Sequence, residues 1–182
     1  MTNTIFITGI HGTGKTTLGN KVSEQLSYSF DSASNIIKRM TEINWDSEKK
    51  VDNIDKNQNT LIDGIKHFYS NNETILLDGH FTLLDKKKQI TKLPTQTFEN
   101  LNIKLIIVCI ANPQTILMRL AKRDMNNNIA LDTIAEFQEA EINHAKFIAK
   151  HLGIPIIFFE TEKEQPINFI INQINGGIKL WN

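Results

Sequence analysis

The chain has 182 residues, of which 40% are hydrophobic and 22% are charged. This length and composition are typical of a single globular domain with a substantial buried core. Lysine and arginine together number 20, as do aspartate and glutamate, so the formal net charge is zero. Because no overall basic field exists, a nucleic-acid or membrane partner would require a local patch.

The cysteine content and the apolar runs bear on location. Cys109 is the only cysteine and lies in the apolar run 105–110, so an internal disulfide is excluded and a buried structural thiol is expected. No apolar run approaches the roughly 20 residues that span a bilayer, and the N-terminus lacks the pattern of a secretory signal. We therefore expect a cytoplasmic protein without a membrane partner.

Short apolar runs alternate with longer segments of helical period, which is typical of a parallel sheet covered by helices on both faces. The predicted strands are residues 4–8, 28–31, 74–78, 104–110 and 154–159. The predicted helices are residues 15–26, 32–41, 54–69, 113–124, 131–152 and a terminal helix near 166–174. The pattern predicts a three-layer α/β fold in one domain, residues 1–182.

Two polar stretches interrupt this pattern. Residues 44–59 are polar and poor in aromatics, and residues 85–92 include three consecutive lysines, Lys86, Lys87 and Lys88. Both are interpreted as surface segments around the opening of a site, with ordinary solvated loops as the alternative.

Residues 9–16 read GIHGTGKT and match the phosphate-binding pattern GxxxxGK[ST]. The pattern lies between a predicted strand and a predicted helix, which is the context it requires. Its glycines let backbone N–H groups turn towards a phosphate, and the helix directs its positive end to the same point. A glycine turn with an incidental lysine is the alternative. The motif predicts a nucleoside triphosphate site formed by Gly9, His11, Gly12, Thr13, Gly14, Lys15, Thr16 and Thr17.

An acidic residue ends the third predicted strand, in the segment ILLDGH at 75–80. Proteins with a phosphate-binding loop hold Mg²⁺ at this position, beside the loop threonine. Asp78 and Thr16 are therefore the candidate metal ligands, although a strand-end aspartate also caps turns. Gly79 follows Asp78, where many ATPases carry a glutamate that orients water, so hydrolysis is disfavoured. The guanine-reading pattern NKxD and the switch pattern DxxG are missing from the sequence, which disfavours a regulatory GTPase.

After the fourth predicted strand, Arg119 and Arg123 lie at i and i+4 of a predicted helix. Guanidiniums so placed can neutralise charge on a phosphoryl group during transfer. We interpret both as catalytic residues of a lid; a solvated basic helix face is the alternative.

Several segments together resemble nucleoside monophosphate kinases, most closely short-lid archaeal-type adenylate kinases and related bacterial ATP-binding proteins. The segments are GIHGTGKTT at 9–17, LLDGH at 76–80, LP at 93–94, ANPQTILMRLAKRD at 111–124 and HLGIP at 151–155. The resemblance implies a P-loop NTPase fold with a five-stranded parallel sheet in the order 2-3-1-4-5. It also implies an acceptor-binding helical insert near 32–73 and a short lid near 119–131.

The resemblance also implies roles for single residues. Lys15 would bridge the β- and γ-phosphates of ATP, and Thr16 and Asp78 would hold Mg²⁺. Ser34 and Arg39 match a Thr-x-x-x-x-Arg spacing of adenylate kinases, which makes Ser34, Lys38 and Arg39 candidate acceptor-binding residues. Solvent-facing cations are the alternative for Lys38 and Arg39.

The histidines divide into two groups. His80 follows Asp78 at the carboxyl edge of the sheet, where it would contact the acceptor or hydrogen-bond Asp78. His11 would lie over the loop, near a ligand or facing solvent. His67, His144 and His151 are expected to be structural.

The sequence thus predicts a phosphotransferase that moves the γ-phosphoryl group of ATP, with Mg²⁺, to a small acceptor, first of all a nucleoside monophosphate. The alternative is a P-loop ATPase or nucleotide-responsive regulatory module without a small acceptor. Residues 44–59 lack the arginine usual in adenylate kinases, and this departure supports that alternative. His11 also departs from them, since it stands where they commonly carry proline, and both departures bear on the identity of the substrate.

Overall fold

The computed structural model describes residues 1–43, 54–84, 89–123, 129–163 and 167–181. The strands are β1 (Asn3–Thr8), β2 (Ser29–Ser32), β3 (Thr74–Asp78), β4 (Thr82–Leu84), β5 (Ile90–Lys92), β6 (Ile103–Ile110) and β7 (Ile156–Glu160). The helices are α1 (Lys15–Leu26), α2 (Ala33–Ile43), α3 (Ile54–Phe68), α4 (Thr95–Glu99), α5 (Pro113–Arg123), α6 (Leu131–Leu152) and α7 (Ile167–Trp181).

The main sheet is parallel and has five strands in the order β2-β3-β1-β6-β7. If only these five strands are numbered, the order is 2-3-1-4-5, so the predicted α/β fold class is confirmed. β1 is the central strand, and Ile5 lies between Leu76 of β3 and Leu105 of β6. The phosphate-binding loop follows β1 and therefore lies at the middle of the carboxyl edge of the sheet.

β4 and β5 form a separate antiparallel hairpin, which the sequence analysis did not predict. Each strand has only three residues, too few to show a period of two. The five-residue helix α4 was missed for the same reason, because it is shorter than two helical turns.

Alternating strand residues build the core on the two faces of the sheet. On one face, Ile5 and Ile7 pack with residues of α1 and α7. On the other face, Phe6 packs with residues of α2, α3 and α6. Because both faces are covered, the central strands consist almost entirely of buried apolar residues, as expected for parallel strands.

The long helices agree closely with the sequence pattern. The predicted bounds of α1 and α6 are those observed, and Gly153 ends α6 with a left-handed φ of 65°. α7 continues to Trp181, past the predicted end at 174, and so includes Gly176 and Gly177. Parts of several predicted segments lie outside the described residues: 44–53 of the polar stretch and insert, 85–88 with the three lysines, 124–128 of the lid, and Pro166.

No helix among the described residues combines the length and the apolar composition that a membrane span requires.

Candidate functional site

The phosphate-binding loop connects β1 to α1 and has a backbone that only glycine adopts readily. Gly9, Gly12 and Gly14 have φ values of 139°, 87° and 97°, in the region closed to most side chains. A Cβ at Gly9 would lie 2.4 Å from the carbonyl oxygen of Cys109. The loop is thus pressed against β6. Thr13 stabilises it from within, since its buried hydroxyl donates to the carbonyl of Ile10 at 2.8 Å.

Lys15, the first residue of α1, is buried with 7% of its surface exposed. Its Nζ donates to the carbonyl oxygens of Gly9 at 2.8 Å and Ile10 at 3.3 Å, and lies 3.7 Å from Oδ1 of Asp78. Burial lowers the pKa of Lys15, and the Asp78 carboxylate partly offsets that shift. The ammonium is therefore held inside the loop, where phosphate oxygens can replace the carbonyls.

Asp78 ends β3, and its Oδ2 lies 3.5 Å from the hydroxyl oxygen of Thr16. The fold thus brings the two candidate metal ligands close together, although they lie 62 positions apart in the sequence. Burial raises the pKa of the Asp78 carboxyl, although Lys15 and Thr16 favour its charged form. A carboxylate and a hydroxyl are hard oxygen donors of the kind that Mg²⁺ takes from protein while it binds phosphates. The residues present fit a Mg²⁺-nucleotide site.

His11 and His80 form a pair beside Lys15, with ring centroids 4.7 Å apart. Burial lowers the pKa of His80 to about 2, with Lys15 and His11 adding to the shift. His11 keeps an exposed edge, yet desolvation of its ring, then Lys15 and Arg123, lower its pKa as well. Both imidazoles are therefore neutral near pH 7. They add hydrogen-bonding atoms to the site but no positive charge.

Arg119 and Arg123, both on α5, differ in their contacts. The Arg119 guanidinium donates to the carbonyl of Gly12 at 3.0 Å and to the hydroxyl of Thr161 at 3.3 Å. It thereby joins the phosphate-binding loop to the turn after β7. Arg123 is exposed at the end of α5 and lines the cavity described next.

A cavity of about 1080 Å³ extends over the loop at the carboxyl edge of the sheet. Its described lining includes one carboxylate, Asp78, and six basic side chains: Lys15, Lys21, Arg119, Lys122, Arg123 and Lys163. A chain with no net charge therefore concentrates positive charge around this loop. Such a cavity fits an anionic ligand of nucleotide size.

Of the four candidate acceptor-binding residues, two line the cavity and two do not. Ser34 and His80 line the cavity. Lys38 is exposed on α2, and its Nζ lies 3.9 Å from Oε1 of Glu42. Arg39 is bound to the carboxylate of Asp31 and lies over the ring of Phe68, 4.1 Å from its centroid. Neither Lys38 nor Arg39 is part of the described cavity lining.

Glu141 of α6 was not singled out in the sequence. It is 1% exposed and accepts hydrogen bonds from the hydroxyls of Thr8 and Thr82 and from the backbone N–H groups of Phe81 and Thr82. The sequence did contain a signal that could have identified it, because Glu141 lies at a position of the apolar stripe of α6 that is buried in the fold. A carboxylate in such a stripe indicates a buried hydrogen-bonding role.

Glu162 was also missed, and it connects the turn after β7 to α5. Its carboxylate accepts hydrogen bonds from the backbone N–H of Asn112 and the hydroxyl of Thr115. These bonds, led by that from Thr115, lower the pKa of Glu162. The start of α5 is thus fixed near the site by a residue 50 positions away.

Comparisons with known proteins agree with this architecture. The profile of the AAA domain family matches residues 8–138. The structure is similar to that of a candidate kinase from Chloroflexus aurantiacus, with a TM-score of 0.56, 16% identity, and coverage of 97% of this chain and 96% of that chain. It is also similar to shikimate kinase from Acinetobacter baumannii in complex with shikimate, with a TM-score of 0.56, 15% identity, and coverage of 95% and 93%.

No curated protein matches the sequence significantly. At these identities the two solved structures show a shared fold, whereas the family profile spans well over half of the chain and includes the phosphate-binding loop, Asp78 and α5. The chain therefore belongs to the AAA domain family and shares its fold with these two kinase structures.

Proposed function

We propose that this protein is a phosphotransferase that moves the γ-phosphoryl group of ATP to a small acceptor. The observation that carries the proposal is the convergence of Lys15, Thr16 and Asp78 at the base of a cavity whose described charged lining residues are, apart from Asp78, all basic. The loop supplies N–H groups for phosphates, and the cations offset the charge of a triphosphate.

Positioning and charge neutralisation would account for catalysis. Lys15 would exchange the carbonyls of Gly9 and Ile10 for phosphate oxygens, and Arg123 would approach the transferred group from α5. Mg²⁺ bound at Thr16 and Asp78 would neutralise further phosphate charge. Arg119 would act indirectly, by holding the loop against the turn that contains Thr161.

Two acceptor groups suit this mechanism. One is a phosphate, as on the nucleoside monophosphate expected from the sequence resemblance, and the other is a hydroxyl. The choice between them depends on the side chains around the part of the cavity that lies away from the loop.

The test is to incubate the purified protein with Mg²⁺ and γ-labelled ATP, with and without a panel of nucleoside monophosphates, nucleosides and other small hydroxyl compounds. We expect label on an acceptor, and we expect Lys15→Ala to reduce that transfer by about 10² to 10³-fold, as for the loss of one preorganised donor. Lysine-dependent release of free phosphate alone would instead support an ATPase or regulatory module. Transfer unaffected by Lys15→Ala would contradict the assignment of the loop.

A further inference from the structure

The cation expected to bind an acceptor phosphate is already engaged within the fold. The Arg39 guanidinium is bound to Asp31 and stacks on Phe68. The Asp31 carboxylate also accepts hydrogen bonds from the Tyr69 hydroxyl and the Asn35 amide, each at 2.7 Å. Moving Arg39 to a ligand would leave a carboxylate with 9% of its side-chain surface exposed without its counter-charge, which is costly.

The cavity wall beyond the loop is uncharged where it is described. We define the acceptor wall as the lining residues within 32–37, 57–61 and 83–101. All are apolar, hydroxyl or amide residues, and the basic lining residues come instead from the loop, α1, α5 and the segment after β7. Among the described residues of the acceptor wall, none offers a dianionic phosphate the guanidinium partner that usually stabilises it.

Unpartnered polar groups on and beside this wall favour a different ligand chemistry. The amide Nε2 of Gln58 and the hydroxyl of Thr97 are buried without hydrogen-bond partners, as is Nδ1 of the neighbouring His80. Buried polar atoms of this kind normally have partners. Hydroxyl groups can supply them because a hydroxyl both donates and accepts. Leu61 and Phe98 provide apolar surface beside these groups.

We infer that the acceptor is a small, uncharged hydroxyl compound with an apolar ring face, of the nucleoside class, and that its hydroxyl, not a phosphate, receives the phosphoryl group. This inference rests on the proposed phosphotransferase function and takes the place of the nucleoside monophosphate expected from the sequence. The acceptor oxygen bonds to the γ-phosphorus while the bond to the β–γ bridging oxygen breaks. ADP leaves with that electron pair, and the hydroxyl proton is released to water.

The closing experiment compares matched acceptors with the full chain, Mg²⁺ and γ-labelled ATP. Adenosine, guanosine, cytidine and uridine are each assayed against their own 5′-monophosphates. We expect label on a nucleoside, with kcat/KM about 10²-fold or more above that of its monophosphate, because an unpaired buried charge is strongly disfavoured. Label mainly on a monophosphate would overturn the inference and leave the phosphotransferase function intact. Label on neither class would overturn the inference, and lysine-dependent phosphate release without label on any acceptor of the wider panel would overturn the proposed function as well.

A pair of variants on α4 locates the acceptor. Thr97→Val removes an unpartnered hydroxyl of the acceptor wall and nearly preserves volume, whereas Thr95→Val changes the same helix at a residue outside the described lining. We expect Thr97→Val to raise the KM of the labelled nucleoside by about 3- to 10-fold, the scale of one neutral hydrogen bond, without raising the KM of ATP. Equal acceptor KM values in Thr97→Val and Thr95→Val would overturn the placement.

Discussion

The carboxylate of Glu141, in the middle of α6, accepts a hydrogen bond from the hydroxyl of Thr8, the last residue of β1. The same carboxylate accepts bonds from Thr82 and from the N–H of Phe81. The start of the phosphate-binding loop and the segment after Asp78 are therefore attached to one buried group. Glu141 positions both sides of the site, although it is not itself among the described cavity-lining residues.

Replacing this carboxylate should destabilise the protein. Glu141→Gln preserves the shape of the side chain but turns an amide NH₂ towards donors, so we expect the free energy of unfolding to fall by about 2–3 kcal/mol. Glu139→Gln, on the exposed side of the same helix, should change it by less than about 0.5 kcal/mol. Urea denaturation of both variants measures the difference, and equal values would contradict the role of Glu141.

A methyl group at Gly9 should disrupt the loop. Gly9→Ala would place its Cβ 2.4 Å from the carbonyl oxygen of Cys109 at a φ of 139°, so the loop must shift and ATP binding should weaken by at least about 10-fold. Gly176→Ala is the matched control, because its Cβ meets nothing within 4 Å. Because Gly176 lies in α7, Gly176→Ala should raise the free energy of unfolding by about 0.5–1 kcal/mol. ATP titration and thermal unfolding report the two effects; unchanged ATP affinity in Gly9→Ala would contradict the loop geometry.

The two arginines of α5 should give different kinetic phenotypes. Arg119→Ala removes the bonds to Gly12 and Thr161, so we expect the KM of ATP to rise by about 10-fold, the scale of one to two hydrogen bonds. Arg123→Ala removes an exposed cation of the cavity lining and should lower kcat by about 10²-fold. Steady-state kinetics of both variants test this; an Arg123→Ala enzyme with unchanged kcat and acceptor KM would contradict the lid assignment.

The histidine pair predicts the pH dependence of stability. The pKa of His80 is lowered to about 2 in the folded protein, while an unfolded histidine has a pKa near 6.5. Below about pH 6.5 this histidine binds a proton in the unfolded chain but stays neutral in the folded protein. The contribution of His80 to the free energy of unfolding is therefore fully present above about pH 6.5 and decreases as the pH falls below it. The slope is up to about 1.4 kcal/mol per pH unit from His80, and His11, whose pKa is also lowered, adds to it.

Chemical denaturation at pH 7.5 and pH 5.5 measures this loss. His80→Asn should flatten the dependence, whereas His67→Asn, at an exposed position of α3, should keep the slope of the unchanged protein. A slope that is the same in His80→Asn and His67→Asn would show that His80 does not carry the effect.

Local patterns were sufficient to predict the fold class and to single out Lys15, Thr16 and Asp78, which lie close together at the carboxyl edge of the sheet. The run of apolar residues in β1, the glycines of the loop and the helical period of α1 are all encoded within 24 consecutive residues, from Asn3 to Leu26. Asp78 was singled out because the end of an apolar parallel strand marks the carboxyl edge of the sheet. These features follow from backbone conformation and short-range periodicity, which a sequence displays directly.

Tertiary structure decided which polar groups are free to meet a ligand. The resemblance to adenylate kinases made Arg39 a candidate for binding the acceptor. In the folded chain, however, Asp31 and Phe68 engage its guanidinium, and Phe68 lies 29 positions away in the sequence. Glu141 in turn reaches Thr8 across 133 positions. Such partnerships depend on the packing of distant elements against one sheet. The sequence by itself therefore determined the phosphate-binding loop, and only the folded chain determined the residues that surround it.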